Sequence, residues 1–502
     1  MNSYKHKISK SRFVSGVQCE KKLYFDLFRS DLKPAVTAQQ QELFDKGHLV
    51  GSLAQHFFPN GKDASPESYY DFSESIEHTA QWINEGTKTI YEAAFYFDEV
   101  FAALDILHHH NGERLAIEVK SSTAVKDYHL QDASLQYWVM SRSGFKPDKF
   151  FLMYIDNTYV KHGEIDPKAL FKMTDITDAV IINQAWVERK LSQFKLLSAD
   201  NEPAVEISKD CRKPFICDYI AHCWQHLSEN SVFTLNSPHG KDWKLYNQGI
   251  MELAEIPVEF QLSHRQLKQV EGVKNGSSYV DLPSIKDFLQ DWSYPLYFFD
   301  FETIFPAIPV LDGTSPFQQV PFQYSLHIVS EADAKMTHSE FLAIPRHFSN
   351  PTGNEDPRKS LIEQLKKDFG SEGSIVAYNA SFEKGVLKNL AIAFPEDAAF
   401  LENLISRFVD LLVVFRNAWY YKPEMGRSAS IKYVLPAIAP DFSYKDLEIG
   451  NGGDASNTFL SMIDGTFTGN ESETRDNLLR YCERDTEGMV VIWKELVRCL
   501  KE

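Results

Sequence analysis

Apolar positions recur at helical spacing from Ile8 to Phe25, behind a Ser9-Lys-Ser start that reads as an N-cap. A second helix is predicted from Gln39 to Phe58, closed by Asn60-Gly61, and a third over Ser73 to Asn84. The pattern then shortens to strands at Thr89–Phe97, Val100–Leu107 and Arg114–Ser122, with Asn111-Gly112 as the hairpin turn between the last two. A helix over Asp127–Ser143, a strand over Phe150–Ile155 and helix over 168–198 follow. Residues 229–292 are mixed and polar, with a short helical piece at Leu262–Val270, and read as a connector. Strands at 295–302, 322–330, 338–344 and 374–378 then alternate with helices near 357–369 and from Phe382, and a last helix opens at Arg480-Tyr481. Strands alternating with helices predict an α/β fold. The expected organisation is a domain over 1–228, the connector over 229–292 and a second domain over 293–502.

Composition narrows the class. The chain has 502 residues, 43% hydrophobic and 13% aromatic, enough for more than one core. No apolar run approaches the roughly 20 residues of a membrane span. The start, Met1-Asn-Ser-Tyr-Lys-His-Lys, lacks the apolar centre of a signal peptide, so a soluble cytoplasmic protein is expected. The formal net charge of -18 excludes a generally basic nucleic-acid binder. Any nucleic acid must be held in local basic grooves, with cations offsetting the acidic sites.

Chemistry gathers first in residues 48–137. Asp105 lies on one strand of the hairpin, and Glu118 and Lys120 share a face of the next. Two carboxylates and a lysine suit metal-assisted phosphodiester hydrolysis, the acids holding a divalent cation. The triplet Glu118-Val-Lys120 followed by Ser-Ser resembles the signature of PD-(D/E)XK nucleases, in their RecB-like branch. That resemblance makes His48 a metal ligand beside Asp105 and Glu118, Glu92 a further acid, and Gln136, with Tyr137, a counterpart of the family's helix motif. Lys120 would orient or deprotonate the attacking water, or stabilise the charge that develops.

Of six cysteines, Cys482 and Cys499 read as packing residues, while Cys19 and Cys211-x5-Cys217-x5-Cys223 flank the nuclease-like core. Four thiolates suit a 4Fe–4S cluster or zinc. One cysteine before the core and three after it resemble the iron–sulfur staple of AddB-type and CRISPR-associated RecB-like nucleases, which usually place two residues between the first two late cysteines rather than five.

The second constellation runs from 300 to 485. Asp300-Phe-Glu302 ends an aromatic strand, with both acids on one face. Asn379-Ala-Ser-Phe382-Glu383, Asp410 and Tyr481-x3-Asp485 follow. Tyr481 and Asp485 share a helix face. The series resembles DEDD exonucleases of the DnaQ-like, RNase H-like superfamily, in the variety with a tyrosine. It implies two Mg²⁺ or Mn²⁺ ions roughly 4 Å apart on Asp300, Glu302, Glu383 and Asp485. Tyr481 would then orient the water and Asp410 the scaffold. Glu383 stands where that family has Asp.

Together the halves resemble an uncharacterised bacterial family of unknown function that fuses a RecB-like iron–sulfur nuclease to a DnaQ-like exonuclease. The resemblance implies a metal-dependent nuclease on DNA with single-stranded ends, in repair, recombination or defence. A helicase partner is expected, since the chain has no Gly-x4-Gly-Lys-Ser/Thr motor motif. An RNA-processing exonuclease, or a nucleic-acid-binding adaptor with a decayed site, remains the alternative.

Overall fold

The computed structural model describes residues 7–68, 71–332, 334–349, 356–442 and 447–501. The stretch 1–6, read above for its lack of a signal-peptide core, lies outside them. The chain is mixed α/β and divides into two units, one of residues 1–226 with 307–317, the other of 227–306 with 318–502. Residues 229–292, read as a connector, therefore fold with the second unit, and 307–317 with the first. No helix among the described residues is long and apolar enough to cross a membrane.

The first unit is built on a six-stranded mixed sheet of β1 (Lys62–Asp63), β2 (Thr89–Phe97), β3 (Val100–His110), β4 (Glu113–Lys120), β5 (Lys149–Ile155) and β6 (Phe171–Asp175), in chain order. β4 and β5 run parallel, joined by the helix Asp127–Arg142. Asn111 and Gly112 both take positive φ, as a tight hairpin turn requires. One face packs Leu104, Ala116, Phe150 and Leu152 against Leu135 and Val139 of that helix and Phe13 of the helix Lys10–Gln18. The other packs Tyr91, Ile106, Ile117 and Met153 against Val50 and Ala54 of the helix Ala38–Gln55.

The inward alternation changes phase at one place. On β2, Tyr91 faces one core and Ala93 the other; on β3, Ile106 and Leu104 divide the same way. Between them lie Glu92 and Asp105, and Glu92 has a left-handed φ of 52°. That conformation is costly for a side chain with a Cβ and tends to mark a functional position.

Two expectations change in this unit. Residues 168–198 are not helical throughout: Phe171–Asp175 forms the edge strand β6, paired antiparallel to β5. The first helix is also broken, since Cys19 is extended between Lys10–Gln18 and Glu20–Phe28.

The second unit holds a short ladder, β7 (Tyr279–Val280) with β13 (Tyr420–Tyr421), and a five-stranded sheet. The sheet comprises β8 (Leu296–Ile304), β9 (Val320–Val329), β10 (Thr337–Leu342), β11 (Ile375–Ala377) and β12 (Phe408–Asp410), in the order β10-β9-β8-β11-β12. β11 is parallel to β8 and β12; β9 is antiparallel to β8 and β10. Leu296 and Phe298 face the last helix, Glu471–Cys499, through Met489 and Trp493. Tyr297, Phe299 and Phe301 face Leu361, Leu365 and Leu387 on the other side. Each such fully buried side chain contributes about 1.5–3 kcal/mol. The last helix starts at Glu471, capped by Asn470, so Arg480-Tyr481 lies inside it rather than opening it.

Candidate functional site

Period-two alternation carries the aromatic strand into chemistry. Asp300 and Glu302 continue the Leu296–Phe298 face of β8 toward the last helix, where Asp485 stands one turn after Tyr481. One carboxylate oxygen from each of Asp300, Glu302 and Asp485 lies within 4.8 Å of the others. A register shift in the β8–β9 ladder between Glu302 and Thr303 ends regular pairing at this point. Gly452, first residue of the helix Gly452–Asp464, sits close enough that a Cβ there would be 3.2 Å from Glu302 Oε2.

Glu383 enters from the first turn of the helix Ser381–Ala393. Asn379, with a φ of 78°, makes the turn from β11 into that helix. Its N–H donates to Asp410 Oδ1 at 3.0 Å, as does the N–H of Leu412 at 3.1 Å. Asp410 thus holds the strand-to-helix junction. Glu383 is buried, and its Oε2 has no hydrogen-bond partner among the described residues.

Burial, then the charge of Asp485, pushes the Asp300 carboxyl well above the ordinary range. Burial, then Asp300 and Asp485, does the same to Glu302, against Lys432. Burial and Asp300 raise Glu383. Acids that cannot ionise together without a counter-charge, one with an orphaned oxygen, fit a divalent cation. Burial, then Asp485, Glu302 and Asp300, also raises the Tyr481 phenol, which stays protonated. Lys432 lies over the Tyr481 ring at 5.8 Å. Cys482, read as packing, is buried with its Sγ 3.9 Å from the Asp300 carboxylate.

In the first unit, Glu118 accepts from Lys120 Nζ at 2.7 Å and from Lys10 Nζ at 3.1 Å. Lys120 also donates to Asp132 Oδ2 at 2.6 Å. Asp105 Oδ2 accepts from the Val119 N–H at 2.5 Å. Burial alone would raise Glu118, but Lys10 and Lys120 outweigh it and hold the group well below the usual carboxylate range. Burial alone would lower Lys120, but Asp132, Glu118 and Asp105 hold it well above the ordinary amine range. Burial lifts Glu92 to about 7, and burial with Glu118 lifts Asp105 well above its usual value. The Gln136 amide is wholly buried and has no partner at ordinary bonding distance, yet lies near enough to favour ionised Glu118.

His48 is exposed on the helix Ala38–Gln55, and its ring does not converge with Asp105 and Glu118 within 4.8 Å. Lys10 and Asp132 belong to this cluster and were missed from the sequence. Asp132 had a signal, being one helical turn before Gln136. Lys10 had none, because it arrives from a distant helix.

Cys19, Cys211, Cys217 and Cys223 line one cavity, together with Lys21, Lys22 and Phe25. No three of their sulfurs lie within 4.8 Å of one another. Burial pushes the Cys217 thiol up to about 11 and raises Cys223.

Two curated relatives are named as uncharacterized proteins. An uncharacterized protein of Mycoplasma pneumoniae is 26% identical over 264 residues, 49% of this chain and 38% of the relative. An uncharacterized protein of Mycoplasma genitalium is 29% identical over 211 residues, 39% of this chain and 31% of the relative. The chain therefore spans about a third of the length of these curated relatives. Residues 297–430 match a domain of unknown function (DUF2779), the stretch that carries Asp300, Glu302, Glu383 and Asp410.

Proposed function

We propose that this protein is a metal-dependent nuclease hydrolysing phosphodiester bonds of DNA at two centres, with a DEDD-type 3′–5′ exonuclease site in the second unit and a RecB-like site in the first. The observation that carries the reading is the convergence of Asp300, Glu302 and Asp485, with Tyr481 one helical turn before Asp485. Asp300, Glu302, Glu383 and Asp485 would hold Mg²⁺ or Mn²⁺, which supplies charge neutralisation at the attacking and leaving oxygens of an in-line displacement. Tyr481 would donate a hydrogen bond that orients the water. In the first unit, Asp105, Glu118 and Glu92 are the acids for a metal. Lys120 would orient or help deprotonate the attacking water, or stabilise the negative charge that develops. Asp132 positions it directly, and Lys10 does so through Glu118.

The four cysteines are assigned a 4Fe–4S cluster. The cavity that the four share supports this. Protein purified without oxygen should be brown; colourless protein with one zinc per chain on these cysteines would overturn the assignment.

Separate Asp300→Ala and Lys120→Ala variants, assayed with Mg²⁺ or Mn²⁺ on end-labelled single-stranded DNA and RNA, test the reading. Loss of 3′ trimming in the first and of a distinct cleavage in the second is the expected result, each by about a hundredfold or more. Wild-type rates in both variants would refute it. Preference for the RNA substrate would replace DNA with RNA processing.

A further inference from the structure

A second cluster of ligand atoms lies where β9 and β10 meet the last helix, and it has no role in the chemistry given above. His327 on β9 and His338 on β10 are direct cross-strand partners, and their rings stand 4.5 Å apart. Glu483, on the last helix, brings Oε1 to 3.8 Å from His338 Nδ1. One nitrogen from each ring and one Glu483 oxygen lie within 4.8 Å of one another. Ligands of tetrahedral zinc at 2.0–2.1 Å stand about 3.3 Å apart. The measured pair need close by only about half an ångström.

The hydroxyl contacts around the two rings are compatible with one arrangement that leaves the outer nitrogens available. The Thr486 hydroxyl donates to the Glu483 carbonyl at 3.0 Å. With its proton placed there, Thr486 Oγ1 would accept from His327 Nδ1, 2.8 Å away, and from Ser325 Oγ, 2.7 Å away. Ser325, donating to Thr486, accepts in turn from His338 Nε2 at 2.9 Å. In that arrangement both rings carry their protons on the hydroxyl side. His327 Nε2 and His338 Nδ1 are left with free lone pairs. Metal-binding histidines are held in this way, the second ring nitrogen fixed by a hydrogen bond that sets tautomer and orientation. Ser325, Thr486 and His327 are buried, whereas Glu483 is nearly half exposed, so the site has a route for an ion.

We infer that His327, His338 and Glu483 bind a zinc-class divalent ion that staples the β9–β10 hairpin to the last helix. Two imidazoles with one carboxylate select Zn²⁺ over the hard ions Mg²⁺ and Ca²⁺. The ion joins elements far apart in sequence, and the helix it grips is the one that carries Tyr481 and Asp485. The inference does not depend on nuclease activity.

The full chain is stripped with chelator, incubated with Zn²⁺ in excess Mg²⁺, and zinc per chain is counted by native mass spectrometry. Wild type should hold one more zinc than Glu483→Gln or His338→Ala, and Asp300→Asn should keep that ion. Zinc held by cysteines is common to all and cancels in the difference. Thr486→Val, which leaves every ligand in place, should weaken binding about 10–100-fold. Glu483→Gln is isosteric at a partly exposed position, and its melting curve in chelator should match wild type. Equal zinc counts and affinities across these proteins would overturn the inference. So would loss of the extra ion in Asp300→Asn with retention in Glu483→Gln.

Discussion

His108 sits on β3 in the same unit as the Glu118 cluster and takes no part in the chemistry proposed for it. Its ring packs at a tilt against Phe58, and Nδ1 is 2.9 Å from Thr89 Oγ1. Burial, then the charges of Lys88, His110 and His109, lowers its pKa to about 4 from an ordinary 6.5. The folded chain therefore keeps the ring neutral where the unfolded chain would protonate it. The stability so held is fully present above pH 6.5 and is lost as pH falls toward 4. The upper bound is about 3 kcal/mol, from about 1.4 kcal/mol per unit. In denaturant unfolding of wild type and His108→Gln, the difference in stability should shrink or reverse in favour of the variant over that window. Parallel curves would mean that the ring titrates normally in the fold.

At the scale of elements, β8 shows what a strand pattern can and cannot disclose. Alternation alone places Asp300 and Glu302 on one face, and the turn spacing of Tyr481 and Asp485 puts those two side chains together. The partner on the other flank of Glu302 is Gly452, and nothing in the sequence links a glycine at a helix start to a carboxylate 150 residues earlier. Gly452→Ala tests that approach. A Cβ 3.2 Å from Glu302 Oε2 forces the carboxylate to give by a few tenths of an ångström. Stability should change by less than about 1 kcal/mol, since alanine is the better helix former. Nuclease activity should fall by roughly tenfold, because positioning errors of this size act on the reacting geometry. Unchanged turnover would show that Glu302 has room to move.

In the first unit the hairpin was legible from Asn111-Gly112, but the phase change at Glu92 and Asp105 was not. A period of two cannot signal its own interruption, and only the backbone shows Glu92 at positive φ. The strand β6 was hidden for a related reason: five residues, Phe171-Lys-Met-Thr-Asp, lie between helical stretches and read as part of them. The start of the last helix was hidden because Glu471–Asn477 is polar throughout and is marked only by its Asn470 cap. His327 and His338 required a strand register that turn chemistry does not specify, since the residues between β9 and β10 carry no two-residue hairpin signal.

For the molecule as a whole, the four cysteines join the two ends of one unit while the acidic tetrad belongs to the other. The joint around the cysteines is already partly made by protein contacts. Gln18 Nε2 donates to the carbonyls of Asp210 and Phe215 at 2.7 and 2.8 Å, and Tyr219 donates to Asp26 at 2.8 Å. Phe25 and Tyr219 pack with ring centroids 5.0 Å apart. A cluster held by Cys19, Cys211, Cys217 and Cys223 adds a cross-link to these contacts, so its binding energy becomes folding energy of the first unit alone. Cys217→Ser, the change at the buried member, should abolish the colour. It should also raise amide hydrogen exchange by tenfold or more through residues 7–28 and 199–226, with smaller increases across the first sheet. Exchange in β8, β9 and the last helix should stay within twofold of wild type, and the Asp300-dependent activity should persist. Exchange raised equally in both units would mean that the cysteines support the whole chain. Exchange unchanged in both would mean that they are packing residues, with the Gln18, Tyr219 and Phe25 contacts sufficient to close the first unit.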